Sequence, residues 1–326
     1  MKKIMKTFLI IILVIFVVIL LGIFAFIKIA EHRETNYSKY TETAGKLEKK
    51  YTELGDREVS YKDYDANDDV IGKYALWYPS EIESKDNKYP VVIFANGTGS
   101  TSSTYKPFLE HLSSWGFISV GNDDKDTRTG ASLEQTIKFL IKENENRDSV
   151  FYQKIDLDNI GIGGHSQGGA AVFNMVVNQE HGSMIKALYA ASATSSYHTM
   201  VMGDQWKYDI SKVNIPTFLT AGTGQWDAGN ATSKEQATDD KNGVVQGIAP
   251  LWSLQENYNL LPETTDRVVA RKKNTDHGDS YKQFDGYMTA WFMYYLQNDK
   301  EAREIFTVGG ELPTNNLYQD VQTNIK

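Results

Sequence analysis

The sequence predicts an α/β protein: a doubly wound, mostly parallel sheet flanked by helices, preceded by one N-terminal transmembrane helix. Three observations predict it. From about residue 57 onwards, short apolar runs alternate with helical periodicities, and strands that alternate with helices imply parallel pairing. The run Val91-Val92-Ile93-Phe94 is apolar at every position, as in a strand buried on both faces. Near the N-terminus, Phe8–Ile27 is a stretch of 20 residues without a charge.

At about 1.5 Å per residue, that stretch spans roughly 30 Å as a helix, the thickness of a bilayer core. Lys2, Lys3 and Lys6 precede it, so the positive-inside rule places the N-terminus in the cytoplasm and the remaining chain outside. The lipid bilayer is therefore an expected partner, through residues 8–27. The alternative is a signal peptide cleaved on secretion. Against cleavage, such signals have apolar regions of about 7–15 residues. A cut after Ala30 would also put Lys28 at the −3 position, where a small residue is wanted. The expected organisation is a cytoplasmic tip and anchor over 1–30, a polar stalk over 31–56, and one domain over 57–326.

The elements of that domain follow in order. Val59–Tyr61 and Tyr74–Tyr78 read as two early strands joined by a polar turn. Val91–Phe94 is the first buried strand, followed by a helix over 105–115 and a strand over 117–120. A helix over 132–142, a strand over 160–162 and a helix over 166–177 come next. Strands at 187–190, 217–220 and 268–270 complete the sheet, and helices near 251–258 and 281–296 fill the gaps. The aromatic row Phe284, Tyr287, Met288, Trp291, Phe292 and Tyr295 has helical spacing and reads as a packing face.

Composition narrows the chemistry. With 34 basic and 42 acidic residues the net charge is −8, which argues against a nucleic-acid partner. The chain has no cysteine, which excludes disulfides, thiol catalysis and Cys-rich metal sites. Asp63–Asp69 begins like a calcium loop, but Asp68 stands where glycine is needed and Tyr74 where glutamate is needed. A polar hairpin turn is the better reading. The loop Asp123–Arg128 follows a strand and reads equally as a cleft wall or a solvated loop.

Gly164-His165-Ser166-Gln167-Gly168 fits G-x-S-x-G, and it follows an expected strand and opens an expected helix. In such an elbow the serine needs a strained backbone and an exposed hydroxyl, and Gly164 and Gly168 make room for the turn. The helix N-terminus beneath Ser166 favours developing negative charge. A nucleophile of this kind calls for an acid and then a histidine later in the chain. Of six histidines, at 32, 111, 165, 181, 198 and 277, only His277 follows the last expected strand. Asp227 is the first carboxylate after the strand over 217–220, whereas Asp239 and Asp240 fall within a polar stretch that reads as an exposed insertion. An oxyanion would be held by the Gln167 amide and by one from Asn96-Gly97-Thr98-Gly99, with Thr98 the first choice and Gly97 the second.

These pieces resemble the α/β-hydrolase superfamily across about residues 57–300. More narrowly they are similar to its secreted lipase, cutinase-like and polyester-hydrolase branch, with dienelactone-hydrolase-like proteins nearby. The resemblance rests on Asn96–Gly99, Gly164–Gly169, Pro216–Asp227, and His277 followed by Thr289-Ala290-Trp291-Phe292. It implies hydrolysis of carboxylic esters without a cofactor. Asn96 departs from the pattern, since relatives often carry His or Pro there, and the interval from Asp227 to His277 is lengthened near 228–243. The expected function is a serine hydrolase acting outside the membrane on an ester, through an acyl-enzyme, with no cofactor or metal. A peptidase or amidase could use the same three residues. A surface-binding module on an inactive fold is the alternative of another class.

Overall fold

The computed structural model describes residues 2–238 and 243–326; Asp239 and Asp240 lie outside the described residues. Two compact units form, one up to Tyr40 and one over Thr41–Lys326. The first is dominated by helix α1 (Lys2–Thr35). Within it, the most apolar 18-residue window of Ile10–Thr35 has a mean hydropathy of 3.6, and none of that window is buried against protein. By length and composition this segment can cross a membrane or act as a signal sequence.

The second unit begins earlier than the boundary expected at residue 57. Helix α2 (Lys46–Thr52) belongs to it, with Tyr51 and Glu48 buried. The Tyr51 ring packs on Trp115 with centroids 5.1 Å apart. A short helix rich in lysine and glutamate reads as solvated, so the sequence gives no sign that Glu48, Tyr51 and Thr52 are interior.

The strands are β1 (Val59–Asp65), β2 (Lys73–Pro79), β3 (Tyr89–Ala95), β4 (Ile118–Asn122), β5 (Ile155–His165), β6 (Ile185–Ala191), β7 (Thr217–Gly222), β8 (Arg267–Lys272) and β9 (Tyr318–Thr323). The interleaved helices are α3 (Lys106–Ser114), α4 (Ala131–Glu145), α5 (Gln167–Asn178), α6 (Ser196–Met202), α7 (Gln225–Ala228), α8 (Lys234–Thr238) and α9 (Leu251–Leu260). After β8 come α10 (Ser280–Gln283), α11 (Asp285–Gln297), α12 (Lys300–Arg303) and α13 (Glu311–Thr314). One nine-stranded sheet runs β1-β2-β4-β3-β5-β6-β7-β8-β9. From β4 to β8 every pairing is parallel. The edges close antiparallel, with β1 and β2 at one side and β9 at the other.

Strand β9 was not expected from the sequence, so β8, which precedes His277, is not the last strand. Its residues, Tyr-Gln-Asp-Val-Gln-Thr, are half-buried along an edge, where polar side chains meet solvent and the apolar signal disappears. The β1–β2 turn is a hairpin, in which Asp65 and Asp68 accept the Asn67, Val70 and Ile71 amides. Those carboxylates therefore serve the turn.

Helices cover both faces. On one, Val91, Ile93 and Ala95 of β3 join Leu133, Ile137 and Leu140 of α4 and Ala171 and Val172 of α5. On the other, Phe94 meets Phe108 of α3, and Phe218 of β7 meets Trp291 of α11. The aromatic row of α11 is packed as expected, with Phe284, Tyr287, Met288, Trp291 and Phe292 fully buried. Strand β3 pairs with β4 on one side and β5 on the other. The order in which the chain adds strands reverses there, and in open α/β sheets ligands bind outside the carboxyl ends of strands at such a switch point.

Candidate active site

At the carboxyl end of β5 the chain leaves the sheet at His165 and turns through Ser166, φ 59° and ψ −120°, into α5. A positive φ at a residue with a side chain costs about 1–3 kcal/mol and is found where function or packing imposes it. The turn closes only because two neighbours lack a Cβ. One on Gly164 would overlap the Gly168 carbonyl, and one on Gly168 would overlap that of Ala95. The Ser166 amide donates to the Ala191 carbonyl at 2.9 Å, and its own carbonyl accepts from Gly169 at 3.0 Å and Thr194 at 3.2 Å. This pinning leaves the hydroxyl free to point out of the sheet.

The Ser166 Oγ lies 3.0 Å from His277 Nε2, and His277 Nδ1 lies 2.7 Å from Asp227 Oδ1. His277 stands in the loop between β8 and α10, and Asp227 in α7, directly after β7. Asp227 is fully buried. Its second oxygen accepts the Gly222 amide at 2.6 Å and the Ser192 hydroxyl at 2.7 Å. Three donors therefore compensate a desolvated carboxylate. With Asp227 ionised, the imidazole proton sits on Nδ1, leaving Nε2 to accept from the serine. Asp276 fixes both partners from behind, its Oδ1 accepting the His277 amide at 2.8 Å and the Asp227 amide at 3.1 Å.

The loop after β3 lies against Ser166, since a Cβ on Gly97 would sit 3.4 Å from Ser166 Cβ. The second-choice donor, Gly97, is committed, because its amide donates to the Tyr105 hydroxyl at 2.9 Å. The Thr98 amide has no partner among the described residues, and Thr98 is exposed. Gln167 opens α5, so its amide has no carbonyl within the helix to bond. Asn96, the departure from the resembled pattern, is fully buried and donates to the Asn122 and Asp124 carbonyls, each at 2.8 Å. The Gln167 side chain accepts the Thr127 amide at 3.0 Å and donates to Asp126 at 2.9 Å. Loop 122–127 is thus a brace holding the β3 loop and the elbow together, rather than a solvated loop.

Residues 81–193 match the family model of chlorophyllase, a stretch that includes the β3 loop and the elbow and ends before Asp227 and His277. No curated protein matches the chain. The strand order, the elbow at the switch point and this match agree. The chain has the α/β-hydrolase fold.

Two further histidines of the fold are interior, and they behave in opposite ways. His165 donates through Nε2 to the His277 carbonyl at 2.9 Å, because a carbonyl can only accept. Its Nδ1 is then bare and accepts from the Tyr105 hydroxyl at 3.1 Å. The ring is neutral: burial, helped by the nearby His277, pushes its pKa down to about 3. His111 lies 2.9 Å from Asp285 through Nδ1 and 2.9 Å from the Glu53 carbonyl through Nε2. Burial pushes its pKa down, but the Asp285 charge and the bonds to Asp285 and the backbone outweigh that, so the net shift is upward.

An unfolded histidine titrates near ~6.5. Between that value and about 3 the unfolded chain holds a proton at His165 that the folded protein does not. Stability therefore falls on acidification through this window, by about 1.4 kcal/mol per pH unit from this group. The sign reverses at His111, whose contribution is complete below the unfolded value and is lost as pH rises through its folded value. Melting temperature against pH should accordingly lose part of its acid slope in His165→Asn. An unchanged acid slope in that variant would contradict a neutral buried His165.

Glu134, Glu180 and His181 are the one group among the described residues whose ligand atoms cluster within metal-binding reach. Lys138 already pairs with both carboxylates, and His181 Nδ1 bonds Glu134 at 2.6 Å. The cluster is a set of side-chain pairs in which Glu180 and His181 lie past the C-terminal end of α5, whose N-terminus forms the elbow.

Several site residues carry no local sequence signal. Ser192, Gly222, Asp276 and Tyr105 act through contacts made by the fold, and Gly222 contributes only its backbone amide. Asp276, adjacent to His277, offers the one hint available, as a short acidic side chain able to bond neighbouring amides.

Proposed function

We propose that this α/β-hydrolase cleaves carboxylic esters, with Ser166 as nucleophile, His277 as base and Asp227 as the acid that orients it. The observation that carries this reading is the Ser166–His277–Asp227 row, with separations of 3.0 and 2.7 Å. His277 Nε2 takes the hydroxyl proton as Oγ bonds to the ester carbon, and the carbonyl oxygen becomes an oxyanion facing the Thr98 and Gln167 amides. Collapse breaks the bond to the alcohol, which leaves with the proton from His277. Water, deprotonated by the same Nε2, then releases the acid and frees Ser166. No step calls for a cofactor. The chlorophyllase match, which covers the elbow and the β3 loop, supports an ester as the scissile bond.

The rim supports an apolar substrate group. Trp226, beside Asp227, is 71% exposed, and Met200, Val201 and Met202 of α6 are exposed as well. Residues 245–248 link these elements: the Ile248 carbonyl accepts from Ser195, and its amide donates to the Trp226 carbonyl, both at 2.8 Å. Exposed aromatic and methionine side chains of this kind suit acyl or alkyl groups. By the positive-inside argument the domain works outside the membrane, tethered by residues 8–27, with release after signal cleavage as the alternative.

The test is a series of p-nitrophenyl esters from acetate through butyrate to octanoate, alongside peptide anilides. kcat/KM is expected to rise with chain length, and Trp226→Ala should lower it for octanoate by about 10-fold while leaving acetate little changed, the size of a hydrophobic-pocket effect. Turnover of the anilides with none of the esters would replace the ester reading by a peptidase.

A further inference from the structure

We propose that residues 41–52, the segment leading into the catalytic domain, are a working part of its active site, acting through Lys272 as a positioning residue for the loop that carries His277. This rests on the reading of His277 as the base.

Lys272 ends β8 and is buried. Its ammonium has three protons, and three acceptors meet them: the Glu42 carbonyl at 2.7 Å, the Gln283 carbonyl at 2.9 Å and Glu48 Oε1 at 3.2 Å. Gln283 is the last residue of α10. The bond from Lys272 to Gln283 therefore closes the base of a loop whose span includes Thr275, Asp276, His277 and Ser280. The other two acceptors come from the segment that the sequence suggests is a stalk.

That segment is docked from both sides. The Glu48 carboxylate, buried, also takes the Tyr318 hydroxyl of β9, Asn315 Nδ2 at 2.7 Å and the Ala44 and Gly45 amides at 2.9 and 3.3 Å. In return, Glu311 of α13 accepts the Leu47 amide at 2.8 Å and the Glu48 amide at 2.7 Å. Burial pushes the Lys272 pKa down while Glu48 pulls it up, and the net shift is downward. A buried ammonium with its acceptors removed would have to move or lose its proton. Either change opens the base of the loop, and His277 must hold its Nε2 within hydrogen-bonding distance of Ser166.

Ion pairing alone would give these residues a purely structural part, and the experiment separates the two. In the full-length protein, the double variant Glu48→Leu/Lys272→Met replaces the pair by apolar groups without stranding a charge, a change that often leaves stability intact. The rate of Ser166 labelling by a fluorophosphonate is measured well below the melting temperature. The proposal expects labelling and kcat to fall by about 10²-fold, the cost of displacing a catalytic group by an ångström, with KM little changed. A variant with wild-type melting temperature and wild-type labelling rate overturns it. Hydrogen exchange on the wild-type protein supplies a second reading that needs no variant. Amides of 273–283 are expected to open together with those of 42–52, and a loop that stays protected while 42–52 exchanges also overturns the proposal. If wild type itself fails to label, the reading of the site fails instead.

Discussion

Ser166→Ala is expected to lower kcat on p-nitrophenyl esters by about 10⁶-fold, the loss typical of removing the nucleophile from a serine–histidine–acid set. The variant keeps the Thr98 and Gln167 amides, so turnover slightly above the uncatalysed rate should survive. His277→Ala should cost about as much, and the double variant no more than either, because base and nucleophile act as one unit. Folding should be unaffected by the serine change. The Ser166 backbone is held by Ala191, Gly169 and Thr194, and alanine removes only the oxygen. Measured kcat within about tenfold of wild type in Ser166→Ala would be incompatible with the mechanism.

Asp227→Asn should lower kcat by about 10⁴-fold while leaving KM nearly constant. The reason lies in the three donors around the carboxylate. The Gly222 amide and Ser192 hydroxyl both donate to Oδ2, so an asparagine will turn its carbonyl oxygen to them and its NH₂ towards His277. His277 Nδ1 must then accept, its proton moves to Nε2, and Nε2 can no longer take the proton of Ser166. The melting temperature should change far less than the rate, since the two donors keep their acceptor. A steady-state assay on the purified variant, with its melting curve, separates these effects.

The sequence exposes most of the fold because the central strands are buried on both faces and so read as unbroken apolar runs. Ser166 is legible for a related reason: the elbow needs glycines at 164 and 168 because backbone carbonyls fill the space a Cβ would take. Asp227 and His277 follow from chain order, and the fold sets them in one hydrogen-bonded row with Ser166. What stays hidden depends on contacts between segments distant in the chain. The buried His111–Asp285 pair illustrates this, with a separation of 2.9 Å beside 2.7 Å for His277–Asp227. Only the ring environment separates them: the second nitrogen of His111 meets the Glu53 carbonyl, that of His277 the Ser166 hydroxyl.

The same limit accounts for α2 and β9. Glu48 and Lys272 are charged residues that a sequence reading assigns to solvent, and their burial follows from meeting each other together with Tyr318, Asn315 and the Glu42 and Gln283 carbonyls. The brace formed by Asn96, Thr127 and Gln167 is invisible in the same way, because all but one of its bonds begin or end on the backbone.

The central claim is that Ser166 is an activated nucleophile, and the measurement that meets it most directly is covalent labelling. The full-length protein is treated with a fluorophosphonate, and the modified peptide is located by mass spectrometry. The account predicts one label per chain, on Ser166, lost in Ser166→Ala and slowed by orders of magnitude in His277→Ala. An unlabelled wild type, or a label that persists unchanged in Ser166→Ala, would contradict it.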